Sequence, residues 1–153
     1  MSGIGQPERA TQNRVLALFN KELGYRLLGN WHERPNNSNI ETGLLTNWLA
    51  QRGYSPVQIA RALDRLRAEA DNPNRSLYDN NKAVYSLLRY GVQVQAAAGE
   101  NAETVWLIDW QEATQNDFAV AEEVTLHAGH ANAHERRPDV VLFVNGLPLV
   151  VIE

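Results

Sequence analysis

The chain has 153 residues, 44% of them hydrophobic, and a formal net charge of −4. This size suits one compact domain with a hydrophobic core, and the acidic balance disfavours a protein that binds nucleic acid through charge alone. Cysteine is absent, which excludes disulfides and thiolate metal sites and fits a reducing compartment. The apolar runs are too short to span a bilayer, and the N-terminus does not resemble a secretory signal. The sequence therefore predicts a cytoplasmic protein without a membrane segment.

The first part of the chain is predicted to be mainly helical. A helix over Glu8–Leu23 carries apolar residues at three- and four-residue spacing, and Gly24 ends it. A short extended stretch, Tyr25–Leu28, leads into a loop rich in glycine, proline and asparagine. Three further helices have ends marked by capping residues or prolines, and we assign them to a helical insertion at about residues 41–90; they cover Glu41–Gln51, Ser55–Ala70 and Ser76–Arg89.

The second part of the chain is predicted to form a sheet. Alternating and β-branched residues indicate strands in the segments VQVQ, TVWLIDW, DFAVAEEVTL, DVVLFV and LPLVVI. We place this sheet, with its final hairpin, at about residues 92–153. Helices followed by strands predict an α+β or mixed α/β domain over residues 1–153.

The final hairpin raises the question of where two carboxylates lie. Asn145-Gly146 between two apolar runs predicts a hairpin turn. A strict two-residue turn pairs Asp139 with Ile152 and leaves Glu153 on the opposite face of the sheet. A three-residue loop, or a bulge, is needed to put Asp139 and Glu153 on the same face.

Two carboxylates that converge from adjacent strands suit a hard divalent cation such as Mg²⁺, which takes oxygen ligands and can polarise a phosphodiester. The structural alternative is that Asp139 caps its strand and Glu153 is an exposed residue. The spacing of these two residues leaves both interpretations open.

The first helix and the strand AVAEEVT add further candidate carboxylates. Glu8 and Gln12 continue the apolar stripe of the first helix, and a carboxylate on an inward stripe needs a partner such as a metal site. An acidic residue in the first turn of a helix is also favourable by itself. In the strand, one of Glu122 and Glu123 is expected to face Asp139, as a third ligand or in a salt bridge.

The final segment RPDVVLFVNGLPLVVIE resembles the PD-(D/E)XK nuclease motif. It is similar to the N-terminal nuclease domain of the restriction (motor) subunit of type I restriction-modification enzymes. The resemblance extends over nearly the whole chain, through ERATQNRVLALFNKELGYRLLGNW, LYDNNKAVYSLLRYGV and IDWQEATQNDFAVAEEVT.

The resemblance implies a restriction-endonuclease-like fold, in which helices flank a mixed sheet. It also implies an enzyme that cuts double-stranded DNA with Mg²⁺. Asp139 and Glu153 match the metal-binding acids of the motif, and Glu8 matches its helix acid. The implied partners are double-stranded DNA and the methyltransferase and specificity subunits, with ATP bound by other domains of the parent protein. The motif's lysine belongs two residues after Glu153, so we expect this chain to be a fragment that does not cleave DNA by itself.

Two other functions stay open at this point. The domain could be a non-catalytic docking module whose helical insertion contacts the rest of the complex. It could also be another nuclease of the same superfamily that acts in repair or recombination. Helicase motifs downstream in the parent would separate the type I restriction hypothesis from this other nuclease.

The segment before the hairpin carries basic residues. Arg136 and Arg137 could hold DNA phosphates, or could lie in a solvated loop with a salt bridge to Glu135. Three histidines at a spacing that would suit zinc on a helix lie among small residues, which favours a loop; they are His127, His130 and His134.

The tryptophans and the arginines of the insertion are predicted to have structural roles. Mixed charges on the second inserted helix indicate a solvent face around Arg61, Arg65 and Arg67. The tryptophans are interpreted as packing residues, since no alternation of basic and aromatic residues suggests base stacking; they are Trp31, Trp48, Trp106 and Trp110.

Overall fold

The computed structural model describes residues 5–126 and 135–153. Within these residues the helices are α1 (Gly5–Ala17), α2 (Thr42–Gln51), α3 (Pro56–Ala70) and α4 (Leu77–Tyr90). The strands are β1 (Arg26–Asn30), β2 (Val92–Val94), β3 (Glu103–Val105), β4 (Phe118–Glu122), β5 (Val140–Val144) and β6 (Leu147–Ile152). A π-helical turn, Leu18–Glu22, extends α1, and a 3₁₀ turn, Ala113–Gln115, precedes β4.

The main sheet has the strand order β1-β4-β5-β6. β1 runs parallel to β4, whereas β4–β5 and β5–β6 are antiparallel pairs. The sheet is therefore mixed, and the α/β class expected from the sequence is confirmed.

The chain separates into two compact units. The first holds residues 1–41 and 117–153, and therefore α1 and the main sheet; the second holds residues 42–116. β2 and β3 form a separate two-stranded ribbon within the second unit. The inserted unit is thus longer than the three helices expected at 41–90. The main sheet expected at about residues 92–153 takes its first strand, β1, from before the insertion, and its later strands begin at β4 rather than near Val92.

The core of the first unit lies on both faces of its sheet. On one face, Leu16 and Phe19 from the first helical segment pack against alternate residues of β4 and β5, including Val120 and Leu142. On the other face, Trp31 packs with Phe143 and with small residues of β4. Burial on both faces explains why β5 reads as a continuous apolar run instead of an alternating one.

The first helical segment ends differently from the prediction over Glu8–Leu23. The α-helix stops at Ala17 and continues as the π-helical turn, where Leu23 N–H donates to Leu18 O at 3.0 Å. Tyr25 N–H then donates to Phe19 O at 2.8 Å. These bonds turn the chain toward β1 while keeping Phe19 on the sheet.

The helices of the inserted unit begin where the sequence predicts. Ser55 and Gln58 form a capping box at the start of α3, and Ser76 accepts a hydrogen bond from Asp79 N–H at the start of α4. Ala62 and Leu66 of α3 are fully buried. Both helices therefore have the local stop and start signals that allow recognition from sequence.

The tryptophans divide into two groups. Trp31 and Trp48 are buried, in agreement with the predicted packing role, whereas Trp106 and Trp110 are 44% and 50% exposed and pack with only part of their surface. Both follow β3, where the chain leaves the ribbon and runs in an irregular path toward the 3₁₀ turn. There the period-two pattern of the segment TVWLIDW no longer corresponds to two faces of a sheet.

None of the helices in the described part of the chain has both the length and the apolar composition that a membrane crossing needs.

Candidate active site

Three predicted site residues line one open pocket in the first unit. The pocket has a volume of about 360 Å³ and lies between the start of α1 and the open end of the β5–β6 hairpin. Its wall includes the carboxylate residues Glu8, Asp139 and Glu153. The remaining lining residues are polar or apolar and uncharged; they are Pro7, Thr11, Gln12, Val15, Val140 and Ile152.

The hairpin brings Asp139 and Glu153 together through a bulge. Asn145 and Gly146 have positive φ angles of 54° and 82°, which is the backbone of a two-residue type I′ turn. Val144 pairs with Leu147 as that turn requires, but Leu142 pairs with Val150, so Leu149 is an extra residue on β6. The shifted register continues to the pair Val140 and Ile152.

When this register is continued by one residue beyond that last pair, Asp139 falls opposite Glu153. The sequence required an odd loop or a bulge for these two residues to share a face, and the hairpin contains the bulge. Asp139 is half-buried and Glu153 is exposed. Directly opposed positions on antiparallel strands have Cβ atoms about 5 Å apart, which is close enough for both carboxylates to contact one ion.

The backbone at Asp139 is fixed by the chain that follows β4. Glu123 N–H donates to Asp139 O at 2.9 Å, and Val124 N–H donates to Pro138 O at 3.2 Å. Gln12 of α1 also reaches Asp139 O, at 3.5 Å, through its side-chain amide. The carboxylate of Asp139 is therefore presented from a backbone that is held on two sides.

Glu122 and Glu123 are engaged in ion pairs. Arg9 of α1 lies 3.3 Å from Glu122 and 3.9 Å from Glu123, and Arg137 Nε lies 3.0 Å from Glu123. The Gln12 amide donates to both carboxylates, at 3.3 and 3.2 Å. These contacts agree with the salt-bridge interpretation of the two glutamates and tie α1 to the end of β4.

Gln12 and Glu123 have contacts that the sequence does not predict. The sequence indicates Gln12 only as part of the inward stripe, yet its amide links α1 to three acceptors. Glu123 has a positive φ of 52°, which is uncommon for a residue with a side chain. The inward place of an amide on the stripe was the available signal for Gln12, whereas no local pattern indicates the backbone of Glu123.

Glu8 lines the pocket from the first turn of α1 but is exposed. The expectation that it faces inward and needs a buried partner is therefore wrong for its burial, because the stripe leaves the sheet before this turn. Water can solvate its carboxylate, and the positive end of the helix favours an acidic side chain there. Glu8 reaches the pocket wall because it belongs to the first turn of α1.

The basic residues before the hairpin are both exposed. Arg137, besides its ion pair with Glu123, contacts His32 Nδ1 at 3.0 Å. Arg136 forms a two-way backbone bridge with Leu126, at 2.7 and 3.1 Å. The three histidines suggested as a zinc site lie outside the described residues.

The donor set of the pocket suits Mg²⁺ in type, since carboxylate oxygens from Asp139, Glu153 and Glu8 are hard ligands and Mg²⁺ keeps several of its waters. Within the described residues no three acidic or histidine side chains are gathered closely enough to enclose an ion. Asp139 and Glu153 line this pocket from the hairpin, and Glu8 lines it from α1.

The chain matches the family described as type I restriction enzyme R protein N terminus, over residues 5–153. It is 33% identical over 111 residues to a Methanocaldococcus jannaschii protein named type I restriction enzyme MjaIXP endonuclease subunit, which covers 71% of this chain. It is 36% identical over 107 residues, 68% of this chain, to the type I restriction enzyme HindI endonuclease subunit of Haemophilus influenzae. The matched segment spans 10% of the length of each relative.

Proposed function

Because this chain belongs to the family of type I restriction enzyme R protein N termini, we propose that its pocket is the Mg²⁺-dependent site of a DNA endonuclease. The observation that carries the proposal is the bulge at Leu149, which places Asp139 opposite Glu153 at the edge of the pocket that Glu8 also lines. The substrate is the phosphodiester backbone of double-stranded DNA. The curated relatives are named as endonuclease subunits, which supports the same reaction.

The three carboxylate residues of the pocket, its Gln12 and the neighbouring Glu123 each have a defined part in this proposal. Asp139 and Glu153 hold the cation from adjacent strands, and Glu8 completes the set directly or through a water. When bound, Mg²⁺ supplies charge that stabilises the developing negative charge on the phosphate and activates water. Gln12 and Glu123 act as positioning residues, because they fix the backbone of Asp139 and the approach of α1.

The parent protein works, in this proposal, as the cleaving subunit of an ATP-dependent cytoplasmic complex with methyltransferase and specificity subunits. ATP binds in domains outside this chain. In this proposal a lysine two residues after Glu153 completes the PD-(D/E)XK motif. We expect the carboxylates of this polypeptide to bind a divalent cation.

Cation binding by the purified chain tests the site without requiring cleavage. Mn²⁺, which accepts the same oxygen ligands, is titrated calorimetrically into the chain and into Asp139→Asn. We expect the variant to bind at least about tenfold more weakly, because one of two opposed carboxylates is neutralised. Asp64→Asn, on the exposed face of α3, is the matched control and should bind like the wild type.

Cleavage is tested in the intact subunit assembled with its partners. Asp139→Ala should reduce plasmid cutting to background while ATP hydrolysis continues. Unchanged cutting by this variant would favour the docking-module alternative, in which the acidic pair has no catalytic part. Plasmid nicking by the purified 153-residue chain, lost on Asp139→Ala, would show that the lysine is not needed.

A further inference from the structure

The inserted unit carries an exposed stripe that the proposed nuclease site does not use. Four residues at a spacing of four, three and four lie within about 60° of one another around α4; they are Tyr78, Lys82, Tyr85 and Arg89. All four are exposed, with Tyr78 at 73% and Tyr85 at 62%. Aromatic and basic side chains therefore alternate along one helix face.

The stripe continues beyond α4 onto Trp110. The Arg89 guanidinium lies 5.2 Å from the centre of the Trp110 ring, in a cation–π contact. The Trp110 indole N–H donates to Leu88 O at 2.7 Å, which fixes the orientation of the ring. A third aromatic ring is thus held in place, half exposed, at the end of the same stripe.

An open pocket of about 940 Å³ begins where the stripe ends. Arg89 and Trp110 belong to its wall, together with the exposed rings of Tyr90 and Trp106. Tyr54 holds the backbone at Trp106, because its hydroxyl accepts a hydrogen bond from Trp106 N–H at 2.9 Å. Hydrogen bonds therefore hold the Trp110 ring and the backbone of Trp106 in the pocket wall.

The charges of the stripe are available to a ligand. Among the described residues, neither Lys82 nor Arg89 forms an ion pair with a carboxylate. Of the acidic residues nearby, Asp109 pairs with Arg52 at 2.7 Å. Asp79, at the start of the stripe, accepts from the neutral Ser76 hydroxyl at 2.7 Å and keeps its charge. The remaining acid of the pocket wall, Glu112, lies past the stripe and would repel a phosphate there.

We propose that the stripe of Tyr78, Lys82, Tyr85, Arg89 and Trp110 binds an unpaired nucleic-acid strand. Two free cations about 10 Å apart along the helix axis match a polyanion and attract its phosphates. The exposed ring of Tyr85 between the two cations, with Tyr78 and Trp110 at the ends of the stripe, offers faces on which bases stack. Only an unpaired strand has base faces free for stacking. The stripe is a different surface from the pocket at Asp139, so this proposal stands or falls separately from the nuclease site.

The test is fluorescence anisotropy of a labelled oligothymidine of about 16 nucleotides, a length that covers one single-strand site, with a duplex of equal length beside it. Removing both cations, Lys82→Gln with Arg89→Gln, should reduce the slope of log affinity against log salt by about 1.4, since each phosphate contact on a single strand contributes about 0.7. Tyr78→Leu and Tyr85→Leu should each weaken binding at least about fivefold and leave the slope unchanged.

Matched controls separate the stripe from general charge effects. Arg65→Gln with Arg67→Gln removes the same charge from the exposed face of α3, where no aromatic ring accompanies the arginines, and should bind like the wild type. A melting temperature within the wild-type range verifies that each variant is folded. An oligonucleotide with abasic positions should bind more weakly, and the tyrosine variants should then have no further effect.

Several outcomes would overturn the proposal. They are equal losses in the α3 control, tyrosine variants that bind the oligothymidine normally, tighter binding of the duplex independent of the tyrosines, and an absence of any oligonucleotide binding by the wild-type chain.

Discussion

Glu123 illustrates how one residue is held in a costly conformation by its contacts. Its left-handed backbone, φ 52°, costs a non-glycine residue about 1–2 kcal/mol. In this conformation its N–H donates a hydrogen bond to Asp139 O. Its carboxylate forms ion pairs with Arg137 and Arg9 and accepts a hydrogen bond from Gln12. Strained residues that persist in this way are concentrated near functional sites.

Asp109 should make the unfolding free energy of the inserted unit depend on pH in the acidic range. Two backbone N–H groups, of Glu112 and Gln111, bond to its carboxylate, and with Arg52 nearby they lower its pKa below the usual value. A lowered folded-state pKa gives stability that is present above the unfolded pKa, about 3.9, and is lost as pH falls through the folded value. Asp109→Asn should therefore melt below the wild type at neutral pH.

Thermal melts of both proteins across pH check this expectation. The gap between the two melting temperatures should stay constant at neutral pH and close below about pH 4. A gap that widens on acidification would contradict the assigned direction of the pKa shift. Asp64→Asn, an exposed acid on α3, serves as the control.

Asn145 has both a backbone and a side-chain role in the hairpin turn. It is fully buried, its φ is positive, and its side-chain oxygen accepts from Asp117 N–H at 2.7 Å. Asn145→Ala should cost about 2–4 kcal/mol of unfolding free energy, from an unpaired N–H and from left-handed strain. Asn145→Gly removes the side chain without the strain and should cost about 1–3 kcal/mol. Urea denaturation measures both, and equal losses would exclude the contribution of strain.

At the scale of elements, the β5–β6 hairpin determines whether the two carboxylates act together. The local signal of Asn-Gly fixed the type I′ turn, and the turn by itself would have placed Glu153 on the wrong face. The extra residue, Leu149, corrects the register and is 43% exposed. Bulges re-aim side chains in this way beside functional sites.

Deleting Leu149 should leave the site intact. With the extra residue gone the ladder becomes regular, and Val150 still pairs with Leu142 while Glu153 still stands opposite Asp139. We expect Mn²⁺ to bind within about threefold of the wild type, since neither carboxylate changes face. Calorimetric titration measures this affinity.

The opposite result is informative about register. If the wild-type hairpin were regular, Asp139 would face Ile152, and deletion would create a carboxylate pair that was absent before. Mn²⁺ binding that appears only after the deletion would therefore show that the bulge is wrongly placed. Leu149→Ala keeps the residue count and is the control for loss of the side chain.

At the scale of the whole molecule, the chain leaves the first unit after Glu41 and re-enters it at Asp117, and both residues lie at the β5–β6 turn. Glu41 N–H donates to Gly146 O at 2.9 Å, while Asp117 and Asn145 exchange backbone and side-chain hydrogen bonds. Glu41 and Asp117, the residues on either side of the inserted segment, are therefore bonded to the same hairpin turn. A short link between them would close without disturbing the sheet.

Replacing residues 42–116 with a flexible linker of about six residues should therefore preserve the first unit, because closing a short loop costs little entropy. We expect a cooperative thermal transition and Mn²⁺ affinity close to that of the whole chain. Circular dichroism and calorimetry measure these quantities. A linker protein without cooperative melting would show that the first unit needs the insertion to fold. Because β6 is an edge strand with exposed Val150 and Val151, the measurements should use low protein concentrations.

The sequence by itself determined the helices with clear caps, the Asn-Gly turn, the α/β class and the acidic residues of the pocket, because these depend on short-range signals in a few neighbouring residues. Only the tertiary structure decided the bulge at Leu149, the backbone of Glu123, the exposure of Trp106 and Trp110, and the separate ribbon of β2 and β3. Each of these depends on contacts between residues far apart in the chain. Periodicity shows which faces of an element are apolar, but it does not show which partner covers them or by how many residues two strands are displaced.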